Sequence, residues 1–212
     1  ELLDSAIVKF YQTPQDVSAL GEIVCWSLTG TVKIESSESG VEYRLYLLDN
    51  TFVDGPITGD GNDISFAAID PGTTTTYKID ARRVGTTCDS IFLSTQPQIE
   101  VIPLPSTSLN VAPTNPIICE KEQFDITVTA TEQNVEYLLA IGGTAISGQS
   151  FNGNGMDQSF TVTASKNEIY DVFAVPTQLD SDGTKCLASK LSQSIDLQVE
   201  GEIVIDQQPF DF

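Results

Sequence analysis

The chain contains no histidine, one methionine and one tryptophan, and its 10 basic residues are outnumbered by 30 acidic ones. Without histidine there is no Ser-His-Asp or Cys-His catalytic arrangement, and the commonest companion of a zinc-binding cysteine is missing. No GxxxxGK[ST] sequence is present to cradle phosphates. A formal net charge of −20 repels nucleic-acid phosphates and anionic lipid surfaces, so nucleic acid is excluded as an expected partner. No stretch approaches the roughly 18 apolar residues needed to span a bilayer, and Glu1-Leu2-Leu3-Asp4 lacks the zones of a signal peptide. The sequence therefore reads as a mature or excised segment with no membrane insertion, kept soluble by its acidity.

The sequence is instead rich in small, polar and β-branched residues, with 40% hydrophobic and 19% charged, a mixture that favours strands over disorder or helix. It is also internally repeated. Val41-Glu42-Tyr43 recurs as Val135-Glu136-Tyr137, Cys25 as Cys119, Gly59-Asp60-Gly61 as Gly153-Asn154-Gly155 and Phe66 as Phe160, each pair 94 residues apart. Tyr77 and Ala81 match Tyr170 and Ala174 at an offset of 93. A period of this length is a whole domain, not a solenoid unit.

Within each copy, short segments with a period of two are separated by turn residues, as a β-sandwich requires. In the first copy strands are expected near Ala6–Tyr11, Thr31–Ser36, Val41–Leu47, Thr51–Val53, Asp63–Ala67, Thr75–Arg83 and Ile91–Val101. The second copy offers Ser108–Val111, Phe124–Ala130, Val135–Ile141, Thr144–Ile146, Gln158–Thr163, Glu168–Val175 and Lys190–Val199. Val41, Tyr43, Leu45 and Leu47 point to one face and Glu42 and Arg44 to the other. Tyr43, Phe66, Tyr77, Tyr137, Phe160 and Tyr170 recur at equivalent positions and are assigned to the core. Pro103 and Pro105 stiffen the connection between copies. The expected architecture is all-β: two tandem Ig-like or fibronectin-III-like sandwiches, 1–102 and 103–212, with 202–212 reading as the start of a further copy.

The four cysteines, Cys25, Cys88, Cys119 and Cys186, include no CxxC pair, and structural disulfides in an oxidising compartment account for them best. The repeat symmetry predicts one bridge per domain, Cys25–Cys88 and Cys119–Cys186, although four cysteines formally permit three connectivities. Trp26, with Glu120 in its place in the second copy, packs on the disulfide or marks a contact surface, packing being the favoured reading.

The succession Ile23-Val24-Cys25, Gly40-Val41-Glu42-Tyr43-Arg44-Leu45-Tyr46, Gly59-Asp60-Gly61, Phe66, Thr73-Thr74-Thr75-Thr76-Tyr77-Lys78-Ile79-Asp80-Ala81 and Cys88 resembles the Ig-like repeats of large Bacteroidetes surface adhesins. These are the SprB-like gliding-motility adhesins and related substrates of the type IX secretion system. The second copy keeps Ile118-Cys119, Val135-Glu136-Tyr137, Gly153-Asn154-Gly155, Phe160, Tyr170, Ala174 and Cys186. The resemblance implies an extracellular, cell-surface stalk or adhesin with no enzymatic activity, whose partners are neighbouring repeats. Asp4-Ser5-Ala6 and Asp89-Ser90-Ile91 also resemble the O-glycosylation acceptor of that phylum, which makes Ser5 and Ser90 candidate sites.

No resident cofactor is expected, and calcium is the one candidate weighed against that. Asp60 and Asp63 in one loop, and Asp180 and Asp182 in another, bring hard oxygen donors together. The same segments also read as turns, and neither carries the full EF-hand pattern. Two further readings concern partners: a surface glycan or protein bound by the pole loops 58–63 and 147–156, and self-assembly of a filament in which 2–10 or 203–212 adds a strand to a neighbour.

Overall fold

The computed structural model describes residues 12–86 and 90–201, and among them there is no helix. The backbone divides into two compact units: the first extends to Pro103 and takes in Asp180–Asp182, and the second comprises Leu104–Leu179 and the chain from Gly183 onward.

The first unit contains β1 (Ala19–Leu20), β2 (Ile23–Cys25), β3 (Gly30–Ile34), β4 (Val41–Leu47), β5 (Phe52–Thr58), β6 (Ile64–Ile69), β7 (Thr75–Arg83), β8 (Ile91–Phe92) and β9 (Gln98–Ile102). One sheet has the order β1-β3-β6; the other has the order β2-β9-β7-β4-β5, with β8 beside β7. The second unit contains β10 (Val111–Ala112), β11 (Ile117–Cys119), β12 (Gln123–Val128), β13 (Val135–Ile141), β14 (Thr144–Asn152), β15 (Gln158–Thr163), β16 (Glu168–Pro176) and β17 (Ser189–Glu200). Its sheets run β10-β12-β15 and β11-β17-β16-β13-β14. Each unit is thus an Ig-like sandwich in which the chain crosses early from the small sheet to the edge of the large one. There it pairs in parallel with the last strand: β2 with β9 and β11 with β17.

The cores show why the sequence repeats as it does. Val32, Ile34, Val41, Tyr43, Leu45, Phe66, Ile79 and Ala81 are fully buried in the first unit. Ile126, Val128, Val135, Tyr137, Leu139, Phe160, Val172 and Ala174 occupy the same places in the second, none more than 7% exposed. The period of two sends alternate side chains of β4 and β13 inward, so each copy buries the same set of side chains between its two sheets. Neither core contains a cysteine. Where antibody domains carry a cystine between the facing strands, branched aliphatic side chains meet instead.

Strands β4, β7, β13 and β15 have the bounds expected from alternation. The edge strands β5 and β14 run further than expected, because glycines let them bend without ending. Gly55 sits at φ +108, and a Cβ there would lie 2.8 Å from the Tyr43 carbonyl oxygen; Gly148 sits at φ +77. The pairing of β4 with β5 slips on either side of Leu45, as a bulge requires. Residues 147–152, expected in a pole loop, accordingly belong to β14. The expected strand 91–101 is split into β8 and β9, and β1 and β2 were not anticipated. The expected strand 6–11 and the segment 202–212 lie outside the described residues.

Because Leu45 and Leu139 hold equivalent, fully buried positions, Leu45→Ala and Leu139→Ala are each expected to destabilise their own unit by about 3 kcal/mol. Urea unfolding with one tryptophan, Trp26, in the first unit and circular dichroism for the whole chain would measure the two losses separately.

Candidate functional site

The loops joining β3 to β4 and β5 to β6 form a polar clamp at one end of the first sandwich, and the second unit builds it again. Ser37 is 1% exposed. Its N–H and Oγ both donate to the Asn62 carbonyl, at 2.9 and 2.6 Å, and its Oγ accepts from the Asp60 N–H at 3.3 Å. Thr131, 1% exposed, repeats this with the Met156 carbonyl at 3.1 and 2.7 Å and the Asn154 N–H at 3.2 Å. The buried Tyr43 and Tyr137 hydroxyls accept from the Glu38 and Glu132 N–H groups, each at 2.9 Å. Burial raises both phenols above their ordinary value, so they stay neutral. Gly59 and Gly153 complete the clamp, since a Cβ there would stand 2.4 and 2.0 Å from the Glu38 and Glu132 carbonyl oxygens.

The aspartates considered for calcium are drawn into this scaffold. Asp60 accepts from the Asn62 N–H at 2.9 Å and from Asn62 Nδ2 at 3.2 Å. Asp63 Oδ1 accepts from the Ser36 N–H at 2.9 Å, and Oδ2 pairs with Lys33 Nζ at 2.7 Å. The hydrogen bond from Lys33, then that from Ser36, hold the Asp63 carboxyl below its ordinary value. Asp157 does the same structural work in the second unit, accepting from the Ala130 N–H at 2.9 Å. Asp180 Oδ1 accepts from the Asp182 N–H at 3.1 Å, closing a turn. Among the described residues no three acidic or cysteine side chains come together in a group able to hold a metal ion.

The cysteine pairing differs from that expected. Cys25 and Cys186 are each disulfide-bonded, whereas Cys119 is a free, exposed thiol; Cys88 lies outside the described residues. The expected Cys119–Cys186 bridge fails on geometry. Cys119 stands in register with Glu200 at the far end of β17, whereas Cys186 precedes the start of that strand at Ser189. The intervening strand separates the two by roughly 40 Å at the usual rise per residue, far beyond disulfide reach. Repeat symmetry correctly matched Cys25 on β2 with Cys119 on β11 but carried no information about which cysteines stand close enough to bond. Trp26, expected to pack, is 53% exposed. Ser90 is half-buried just before β8, and Ser5 lies outside the described residues.

An open cavity of about 330 Å³ lies at the edge of the first sandwich, lined by Leu47, Val53, Ile69, Asp70, Thr75 and Tyr77 among others. No described helix is long and apolar enough to cross a membrane. A feature the sequence reading missed lies on the outer face of the larger sheet. Tyr46 on β4 meets Phe52 on β5 edge to face at 5.7 Å and Phe92 on β8 at 6.5 Å. Lys78 Nζ stands 4.8 Å above the Phe92 ring and is held by the Leu48 carbonyl and Asn50 Oδ1 at 3.0 and 2.6 Å. The signal was present: by the 94-residue offset, Ala140 and Ile146 replace Tyr46 and Phe52 in the second copy, so these aromatics are not part of the shared core.

No family model and no curated protein matches the sequence. Solved structures similar to it include the fibronectin(III)-like modules of CbhA from Clostridium thermocellum, 15% identical over 85% of this chain and 90% of that one, with a TM-score of 0.36. The D1-D2 domains of Rst are 13% identical over 91% of this chain and 99% of that one, with a TM-score of 0.43. The BSP domain of a biofilm-associated protein is 15% identical over 88% of this chain and 29% of that one, with a TM-score of 0.30.

Two measurements follow from this geometry. With its folded-state value held below the ordinary 3.8, Asp63 contributes stability above about pH 4, and this is lost as pH falls through the lowered value. Asp63→Asn should therefore make the fall of the unfolding midpoint below pH 4 shallower than in the wild type. In the native, unreduced protein, iodoacetamide should label Cys119 and spare Cys25 and Cys186; peptide mass mapping reads the sites, and label on either of the latter contradicts their disulfide bonding.

Proposed function

We propose that the chain is a non-catalytic, load-bearing pair of repeats from an elongated extracellular adhesin of a bacterial surface, of the kind its resemblance to gliding-motility adhesins suggests. The observation that carries this is the parallel pairing of first and last strands, built twice. In the first unit Ile23, Val24 and Cys25 stand beside Glu100, Val101 and Ile102. Two flanking hydrogen bonds extend the pairing: Glu100 N–H to the Glu22 carbonyl at 2.8 Å and Trp26 N–H to the Ile102 carbonyl at 3.0 Å. In the second, Ile117, Ile118 and Cys119 stand beside Gln198, Val199 and Glu200, flanked by Gln198 N–H to Pro116 and Glu120 N–H to Glu200 at 3.0 and 3.1 Å.

Tension applied to the two ends of such a unit pulls these parallel strands lengthwise in opposite directions. All the bonds of the patch are then loaded together instead of opening one by one. A cystine supports an oxidising, extracellular compartment, and the duplication of scaffold residues, instead of any reactive group, supports a mechanical role over a chemical one.

Single-molecule stretching of the chain in reductant tests the reading. Two force peaks per chain are expected, and Val24→Pro, which removes a donor from the first patch, should lower one peak and leave the other unchanged. Extension without resolvable peaks, or a Val24→Pro trace identical to wild type, contradicts the load-bearing role.

A further inference from the structure

The aromatic row on the outer face of the first unit is not required by the fold, because the second unit makes the same sandwich without it. Where the first unit has Tyr46 on β4 the second has Ala140, and the facing pair Asp80 and Phe92 is answered by Phe173 and Lys190. On that second face Asp171 is tied to Lys190 Nζ at 2.8 Å and to Ser194 Oγ at 2.7 Å. On the first face Phe52, Phe92 and Leu48 are 52%, 53% and 52% exposed.

A second observation lies among these rings. Asp80 is 8% exposed and is the cross-strand partner of Phe92 on one side and of Arg44 on the other. Arg44 is already paired with Glu42 at 2.8 Å, and the Asp80 carboxylate makes no hydrogen bond or ion pair with any described residue. No buried side-chain oxygen among the described residues lacks a partner, so the carboxylate oxygens of this largely enclosed residue reach solvent, as an open acceptor beside the exposed rings.

We propose that this face binds a neutral polysaccharide, sugar rings stacking on the half-exposed Phe52 and Phe92 while the Asp80 carboxylate accepts a hydrogen bond from a sugar hydroxyl. A sugar ring has an apolar C–H face that suits an aromatic surface and a rim of hydroxyl donors that suits an open acceptor. Tyr46 stands edge-on to both Phe52 and Phe92, with interplanar angles of 75° and 82°, so the stacking surface is that of the two half-exposed phenylalanines, braced by the tyrosine.

Area and charge select this occupant. Three half-exposed apolar side chains present roughly 300 Å², well below the roughly 800 Å² per partner of a stable protein interface. An acidic polysaccharide meets a chain of net charge −20, and Lys78 in the row is already engaged with Leu48 and Asn50. The inference goes beyond the load-bearing reading and is separable from it, since a chain that binds no sugar still unfolds in two steps.

Native electrophoresis through gels containing hydroxyethyl cellulose, xyloglucan, galactomannan or dextran, with alginate as the acidic control, tests it on the full chain. Retardation is expected in at least one neutral gel and absent in alginate. Phe52→Ala with Phe92→Ala should weaken the interaction about tenfold or more, and Asp80→Asn about threefold, with thermal melts confirming that the variants fold. Unretarded migration in every neutral gel overturns the proposal, as does retardation that the aromatic double variant leaves intact. So does sedimentation showing a dimer that the double variant dissociates, which would make the row a self-association surface.

Discussion

Each sandwich depends on a tyrosine that must bury its ring and yet satisfy its hydroxyl. Tyr43 and Tyr137 lie fully enclosed between the sheets, and each hydroxyl reaches the main-chain N–H of a loop residue five positions earlier. An unmet hydroxyl in that setting would cost a kilocalorie or more, so the loop must come to the tyrosine. That requirement fixes the approach of the β3–β4 and β12–β13 connections. It excludes a side chain at Gly59 and Gly153 and brings Ser37 and Thr131 under cover, where they in turn hold the opposite loop. Core packing and loop geometry are thus one problem with one solution, arrived at twice.

Much of this was legible in the sequence, for reasons that differ element by element. The strands containing Tyr43 and Tyr137 were readable because their alternation is unbroken. The starts of the edge strands were readable but their full length was not, because Asp54-Gly55-Pro56 and Ser147-Gly148 look like turns in sequence and lie within strands in space. The two-residue β1 and β10 are too short to show any period and exist because a neighbouring strand offers them partners. The cysteines misled because a repeat reveals equivalence between copies and nothing about proximity within one. The aspartates of the 60–63 loop were recognised as important, but as ligands or turn formers; their occupation by Ser36, Asn62 and Lys33 could be known only once the loops were in place.

The two copies also separate what the fold needs from what one copy has acquired. Positions that agree, such as Leu45 with Leu139 and Asp63 with Asp157, lie in the core or the clamp. Buried positions that differ exchange like for like, as Val32 with Ile126 and Ser37 with Thr131 do, whereas on the outer face of the larger sheet Tyr46, Phe52, Asp80 and Phe92 stand against Ala140, Ile146, Phe173 and Lys190. Divergence in kind on this solvent-facing surface, above an interior whose changes stay aliphatic, leaves that surface open to specialisation without disturbing the strands beneath it.

A core built from Val32, Ile34, Ile79 and Ala81, and again from Ile126, Val128, Val172 and Ala174, closes without any sulfur chemistry. Hydrophobic burial between the sheets is therefore available to the nascent chain before it meets an oxidant. Oxidation of Cys25 and Cys186 is thus a separate contribution, added to packing between the sheets that does not use it.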